Sequence, residues 1–210
     1  MKPKKVIAFD LYDTCFEFTL PQANIAYTQL FSSLGLTKQN HRLRKILLTS
    51  SKDIEDILLE KFPDLDIHTH LDAYHHDLRD EILSVQLFPE TLSVLSALKY
   101  RGYRLAAVSN LAQPYVQPLH SLLPHIFDYE ILSCNVGFTK PDIKIFDCLK
   151  SISWYGSDAI LMVGDSLASD IQWAKNASID AVRIDRSSSW IIYHKDYISL
   201  STLDQLLVLL

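Results

Sequence analysis

Five short apolar runs do most to limit the folds open to this chain. They are KKVIAF, which runs into Asp10; YRLAAVSN, which reaches Ser109; YEILSC, ending at Cys134; AILMVGD, ending at Asp165; and DAVRID, ending at Asp185. Each has the length and near-continuous hydrophobicity of a parallel strand buried on both faces. Between them lie amphipathic stretches such as PETLSVLSALKYRG, whose apolar residues fall at helical spacing and which closes on Gly102. Strand–helix alternation of this kind predicts an α/β fold with a Rossmann-like, doubly wound parallel sheet.

One interval breaks the alternation. From about Phe18 to Val85 no strand pattern is convincing, and four helical patterns fit instead: Gln22–Leu34, His41–Thr49, Ile54–Phe62 and Leu71–Leu83. An all-helical bundle inserted after the first strand reads as a cap domain, residues 18–85, on a core domain formed by residues 1–17 and 86–210. The hinges are expected at Glu17–Thr19 and Gln86–Pro89. The cap would lie over the carboxyl edge of the sheet, where open α/β sheets bind their ligands.

With 210 residues, 48% apolar and 21% charged, the chain can bury a sizeable core. A net charge of -5 gives no electrostatic ground for a nucleic-acid partner, and the lysines of the opening MKPKK read as a solubilising lead-in. No apolar run approaches the roughly 18 residues of a membrane span, and no signal-peptide core opens the chain. Cys15, Cys134 and Cys148 have no metal-type spacing and read as reduced thiols, which implies a cytoplasmic protein.

Four signals fall at strand ends or in adjoining loops: Asp10; the pair Ser109–Asn110; Lys140 in FTKPDIKIF; and GDSLASD, from Gly164 to Asp170. Parallel strands bring their carboxyl ends to one edge, so these groups can converge across the length of the chain. A strand-end carboxylate can attack phosphorus or carbon covalently. Attack on an anionic phosphoryl group needs cations, which Lys140 and a divalent ion supply. Mg²⁺ takes oxygen ligands, and Asp10 and Asp165 are the natural carboxylates. Singly, each residue has a plainer reading as a turn former, helix-start charge or solvated lysine.

Together and in order, these motifs resemble the haloacid dehalogenase superfamily of aspartate-nucleophile hydrolases. LFPETLSVLSALKYRGYRLAAVSN and the closing DYISLSTLDQLLVLL extend the resemblance over nearly the whole chain. It implies Asp10 as nucleophile, with Ser109 and Lys140 completing the catalytic set. It also implies a Mg²⁺ site from Asp10, Asp165 and the backbone carbonyl of Tyr12, with Asp170 supporting the metal. Asn110, Thr14 and Tyr12 are implied at the substrate, Thr14 steadying the nucleophile loop.

The first motif reads Asp-Leu-Tyr-Asp-Thr. Phosphatases of the superfamily carry a second Asp two residues after the nucleophile, as general acid and base. Tyr12 stands there, and a phenol of pKa about 10 is a poor base near neutrality. Asp13, one residue on, would have to reach around the loop. Asp-x-Tyr resembles the metal-free L-2-haloacid dehalogenases, with Arg42 or Arg44 as a halide-binding cation. Phe146, Asp165 and Leu167 depart from that branch, which has Tyr, Ser and Asn there. A second carboxylate facing the nucleophile is stable only with a cation between them. The reading is a Mg²⁺-dependent phosphatase acting on a small phosphorylated metabolite, slow with poor leaving groups. The alternatives are a 2-haloacid dehalogenase and a non-catalytic descendant that binds a ligand or partner.

Weaker signals read as structural. HTHLDAYHHD, from His68 to Asp77, lacks a metal-ligand signature and reads as a polar helix face. Lys52 is unsuited to Schiff-base chemistry beside a Tyr12 loop. Trp154, Trp173 and Trp190 read as packing residues, and Cys15 as a small buried side chain.

Overall fold

The structure, a computed structural model, describes residues 4–20 and 25–210. In chain order the elements are β1 (Val6–Phe9), β2 (Phe16–Phe18), α1 (Ile25–Ser33), α2 (Asn40–Leu48), α3 (Ile54–Lys61), α4 (His68–Leu83), β3 (Val85–Leu87), α5 (Thr91–Tyr100) and β4 (Arg104–Ser109). There follow α6 (Gln117–Leu122), β5 (Tyr129–Leu132), α7 (Ser133–Val136), α8 (Lys144–Ser153), β6 (Ile160–Gly164), α9 (Gln172–Asn176), β7 (Asp180–Ile184), β8 (Ile192–Tyr193), β9 (Ile198–Leu200) and α10 (Leu206–Leu209).

Seven strands form one sheet in the order β5-β4-β1-β6-β7-β9-β8, parallel except for β8. All five predicted strands are in it. The first, β1, lies centrally, with Ala8 registered against Ala106 of β4 and Met162 of β6. Alternation of side chains explains its unbroken hydrophobicity. Ile7 and Phe9 enter a core shared with α5 and helices α1–α4, whereas Val6 and Ala8 face Phe146, Leu149 and Trp173 on the other side. Every β1 residue is therefore buried. Helix α5 buries Thr91, Val94, Leu95 and Leu98 at helical spacing and stops before Gly102, whose φ of +88° suits the left-handed turn.

Among the described residues the interval between β1 and α5 contains four α-helices, as the periodicity predicts. The first predicted helix begins at Gln22, among residues 21–24 that lie outside the described ones, as do Met1–Pro3 of the basic lead-in. The structure adds β2 and β3, which pair antiparallel as Phe16–Leu87, Glu17–Gln86 and Phe18–Val85. The two connections to the helical layer are thus one ribbon, which overlaps the expected hinge segments at Glu17–Phe18 and Gln86–Leu87. Strands of three residues show too little alternation to be legible, and β8 and β9 at the far edge escaped for the same reason. Of the three tryptophans only Trp173 packs in the core; Trp154 and Trp190 stand in solvent, which corrects the packing expectation for both.

Candidate active site

The sheet edge brings the four signals together. Asp10 follows β1, Ser109 ends β4 and Asp165 follows β6, three neighbouring strands with β1 between the other two. The chain turns to opposite sides of β1 to make β4 and β6, so Asp10 sits at the switch point of the sheet. Lys140 reaches the same place from the loop before α8.

Three donors meet the same Asp10 oxygen, Oδ1: the Ser109 hydroxyl at 2.7 Å, the Leu11 amide at 2.9 Å and the Lys140 ammonium at 3.0 Å. They orient the carboxylate and leave Oδ2 to meet a ligand. The Lys140 ammonium is buried and spends its three hydrogens on Asp10, on Asp170 Oδ1 at 2.6 Å and on the Val108 carbonyl at 2.6 Å. Burial works against its charge, but Asp10 and Asp170 outweigh it and hold the pKa above that of an ordinary lysine. Asn110 fixes the lysine from behind. Its amide accepts from the Lys140 N–H at 2.8 Å and donates to the Lys140 carbonyl at 3.0 Å.

Asp170 is fully buried in a π-type turn, Leu167–Ile171, ahead of α9. It also accepts the Ser166 amide at 3.0 Å. Asp10, Asp165 and Asp170 offer oxygens within 4.8 Å of one another, the single such metal-competent group among the described residues. Burial, then repulsion from Asp10, Asp170 and Asp13, raises the Asp165 pKa to about 7. Burial and Asp10 raise Asp170 to about 6, against the opposing pull of Lys140. A hard-oxygen set with more negative charge than Lys140 balances fits a divalent cation such as Mg²⁺.

Gly164, the residue before Asp165, is there for space. A Cβ on it would lie 2.3 Å from Asp170 Oδ2, and Asp170 is pinned by Lys140 and Ser166. Gly164→Ala is expected to cost about 1–3 kcal/mol in urea unfolding. Undiminished stability would mean that Asp170 moves aside freely.

The loop that follows Asp10 is wound tightly. The Leu11 carbonyl accepts from Cys15 at 2.7 Å and Phe16 at 2.9 Å, and Asp13 takes a left-handed φ of 61°, which Asp tolerates better than most residues. Thr14 is wholly buried and its hydroxyl meets no hydrogen-bond partner among the described residues; its carbonyl accepts from Arg186 at 2.8 Å. Arg186 also pairs with Glu90 at 2.8 Å and lies 3.3 Å over the Phe88 ring. No sequence pattern singles out this arginine. Asp13 is exposed at the mouth of the site; burial and Asp10 push its pKa up while Arg186 pulls it back.

Tyr12 turns away from the carboxylates. Its hydroxyl donates to the Tyr115 carbonyl at 2.9 Å and its ring stacks on Phe18 at 5.1 Å between centroids. Burial drives the phenol pKa far above its usual value. The Tyr115 hydroxyl in turn donates to Glu81 of α4, a buried carboxylate that also accepts the Ile25 and Ala26 amides opening α1. Tyr12→Phe is expected to keep any turnover within about threefold and to cost about 1 kcal/mol of stability. A hundredfold loss of rate would instead give the phenol a part in proton transfer.

A cavity of about 300 Å³ opens beside the loop, lined by Tyr12, Asp13 and Asn110 on one side and by Tyr27, Arg44 and Leu48 of the helical layer on the other. Arg42 lines a separate cavity. Among the weaker candidates, His75 pairs with Glu55 at 2.8 Å and Lys52 with Glu60 at 2.7 Å, both in the open. Phe146 is buried in the second core, and Leu167 is exposed on the π-type turn. No described helix is long and apolar enough to cross a membrane.

The glyceraldehyde 3-phosphate phosphatase of Methanothermobacter thermautotrophicus is 32% identical over 113 residues, 53% of this chain and 49% of that protein, so the chain spans about half the length of this curated relative. A HAD phosphatase from Thermococcus onnurineus matches 98% of this chain and 97% of its own, with TM-score 0.64 and 26% identity. A 2-haloacid dehalogenase from Pseudomonas syringae pv. Tomato DC3000, with TM-score 0.62 and 19% identity over 98% of this chain and 97% of its own, shares the fold alone. The family model described as a haloacid dehalogenase-like hydrolase matches residues 4–178, and the chain belongs to that family of hydrolases.

Proposed function

We propose that this chain is a Mg²⁺-dependent phosphatase that acts on a small phosphorylated metabolite through Asp10. The observation that carries the proposal is the second carboxylate opposite the nucleophile. Asp165 is pushed up to about 7 by burial and its acidic neighbours, a cost that a metal-free site gains nothing from. Phosphatase names among the relatives point the same way.

Asp10 Oδ2 attacks phosphorus, forming an O–P bond as the ester or acyl oxygen leaves with the electron pair. Lys140 offsets the charge that the carboxylate and phosphoryl oxygens bring together. The Ser109 hydroxyl, now on Asp10, can turn to a phosphoryl oxygen. Asn110 holds the Lys140 backbone, and Thr14 keeps the loop in place. Water then attacks phosphorus, its proton passing to the released phosphate or to solvent, and Asp10 departs with the electron pair as a carboxylate. Mg²⁺, held by Asp10, Asp165 and the Tyr12 carbonyl with Asp170 in support, would supply charge neutralisation on the phosphoryl oxygens. Helices α1–α4 serve as the cap, moving on the β2–β3 ribbon over a core of residues 1–17 and 86–210.

With Tyr12 committed to Tyr115, the position two residues after Asp10 supplies no acid for a leaving alkoxide. Turnover is therefore expected to be fastest with acyl and aryl phosphates. Mg²⁺ at about 100 times its Kd is expected to stabilise the fold by about 2.7 kcal/mol. Calorimetric unfolding with and without the ion checks this, and Asp165→Asn should remove most of the shift.

The second reading, a dehalogenase, draws on Tyr12 and on Arg44 in the cavity wall. Release of phosphate from acetyl and p-nitrophenyl phosphate, and of halide from 2-chloropropionate, each in Mg²⁺ and in EDTA, separates the two. Phosphate release that EDTA abolishes is the expected result. Halide release in EDTA without phosphate release would overturn the proposal, and silence on all substrates would favour a binding role.

A further inference from the structure

The cavity beside the nucleophile loop has a chemistry of its own. Four of its lining residues are aromatic: Tyr12, Phe18, Tyr27 and Tyr115. Tyr12 and Phe18 stack, and Tyr115 presents its edge to both, with ring centroids 6.1 and 6.2 Å away at 88° and 79°. Two of the phenols spend their hydroxyls on the protein, Tyr12 on the Tyr115 carbonyl and Tyr115 on Glu81. What those rings offer a ligand is π-surface. Leu47, Leu48, Leu111 and Ala112 fill the intervals between them. Arg44, also in the wall, donates to Asn40 and Thr28, each at 2.6 Å.

We infer that the group carried on the substrate's phosphate is a flat, apolar aryl ring, so that the site takes phosphomonoesters of phenols. The inference rests on the phosphatase reading for where the phosphate lies. Asp13 and Asn110 belong both to the cavity and to the loops around Asp10 and Lys140, so a leaving group projecting from the phosphorus enters this cavity. Apart from Asp13, Asn110, Arg44 and the Tyr27 hydroxyl these walls are apolar or aromatic, so a polyol or sugar would set most of its hydroxyls against surface that cannot pair them, which is costly. An aryl ring meets them in stacked and edge-to-face contacts and exchanges apolar surface for water. The position of Tyr12 agrees independently: with a spent phenol two residues after Asp10, a phenolate departs more readily than an alkoxide that needs a proton.

The test uses wild-type protein with Mg²⁺ and two phosphonates that cannot be hydrolysed, phenylphosphonate and methylphosphonate, titrated by calorimetry. Phenylphosphonate is expected to bind at least tenfold more tightly. Crystals grown with it are expected to place the ring in van der Waals contact with Phe18 and Tyr115. Equal affinities, no binding of phenylphosphonate, or a ring bound elsewhere would each overturn the inference. Turnover of phenyl phosphate and acetyl phosphate is followed in parallel. Acetate is a better leaving group than phenolate, so a higher kcat/KM for phenyl phosphate would support recognition of the ring itself. Metal-dependent turnover with equal phosphonate affinities overturns the aryl assignment and leaves the phosphatase reading standing. A tenfold phenyl preference with no turnover of either phosphate upholds the aryl site and overturns the phosphatase reading.

Discussion

Lys140→Met is expected to destabilise the protein by about 3–5 kcal/mol, the usual penalty for removing one partner from a buried ion pair. The ammonium is almost entirely shielded, and its three contacts are all to oxygen. Methionine of similar length fills the space but supplies no charge and no hydrogen. Asp170, wholly buried, would keep only the Ser166 amide and the weaker Ser169 hydroxyl as donors, and Asp10 would lose one of three. Two carboxylates would then face Asp165 with no cation among them. Urea unfolding in EDTA measures the loss. A variant within about 1 kcal/mol of wild type would show that the lysine balances far less charge than its contacts imply. Phosphate turnover, where it survives the destabilisation, is expected to fall with it.

Asp10→Asn is expected to do the reverse: little harm to the fold and a loss of turnover of at least about 10⁴-fold. The amide oxygen can still accept from Ser109, Leu11 and Lys140, so the loop keeps its anchor. In the absence of metal the variant relieves the crowding that raises Asp165 and Asp170. A neutral amide has no nucleophilic oxygen to offer phosphorus. Steady-state turnover alongside a circular dichroism melt checks both halves. A rate within tenfold of wild type would place the nucleophile elsewhere.

The fold was legible where burial is continuous. Strands β1, β4, β5, β6 and β7 are mainly apolar because the sheet is covered on both faces, and three of them, β1, β4 and β6, run into or end on a residue of the site. The four helices of the insert were legible from their spacing. The β2–β3 ribbon was not, because three residues carry no readable period. At the site, Asp10, Ser109, Lys140, Asp165 and Asp170 were legible as a set, since parallel strand ends share an edge. The fate of Tyr12 was not, because its partner lies 103 residues away at Tyr115. Glu81 belongs to no motif, yet a signal was present: Leu71, Tyr74, Leu78 and Glu81 fall at one helical spacing, on the stripe that packs inward. A carboxylate on such a stripe needs donors, and the start of α1 provides them. Arg186 follows a strand with no periodicity to mark it.

A single turnover of acetyl phosphate in H₂¹⁸O, with Mg²⁺ and enzyme in excess, addresses the chemistry at Asp10 most directly. Mass spectrometry reads the released phosphate and the peptide that contains Asp10. Attack of water on phosphorus in an aspartyl phosphate is expected to put ¹⁸O in the phosphate and none in the carboxylate. Label in the Asp10 carboxylate would mean that water attacks the acyl carbon, as it does when an aspartyl ester made by attack on carbon is hydrolysed. That result, or turnover that survives EDTA, would contradict a metal-dependent phosphoryl transfer through Asp10.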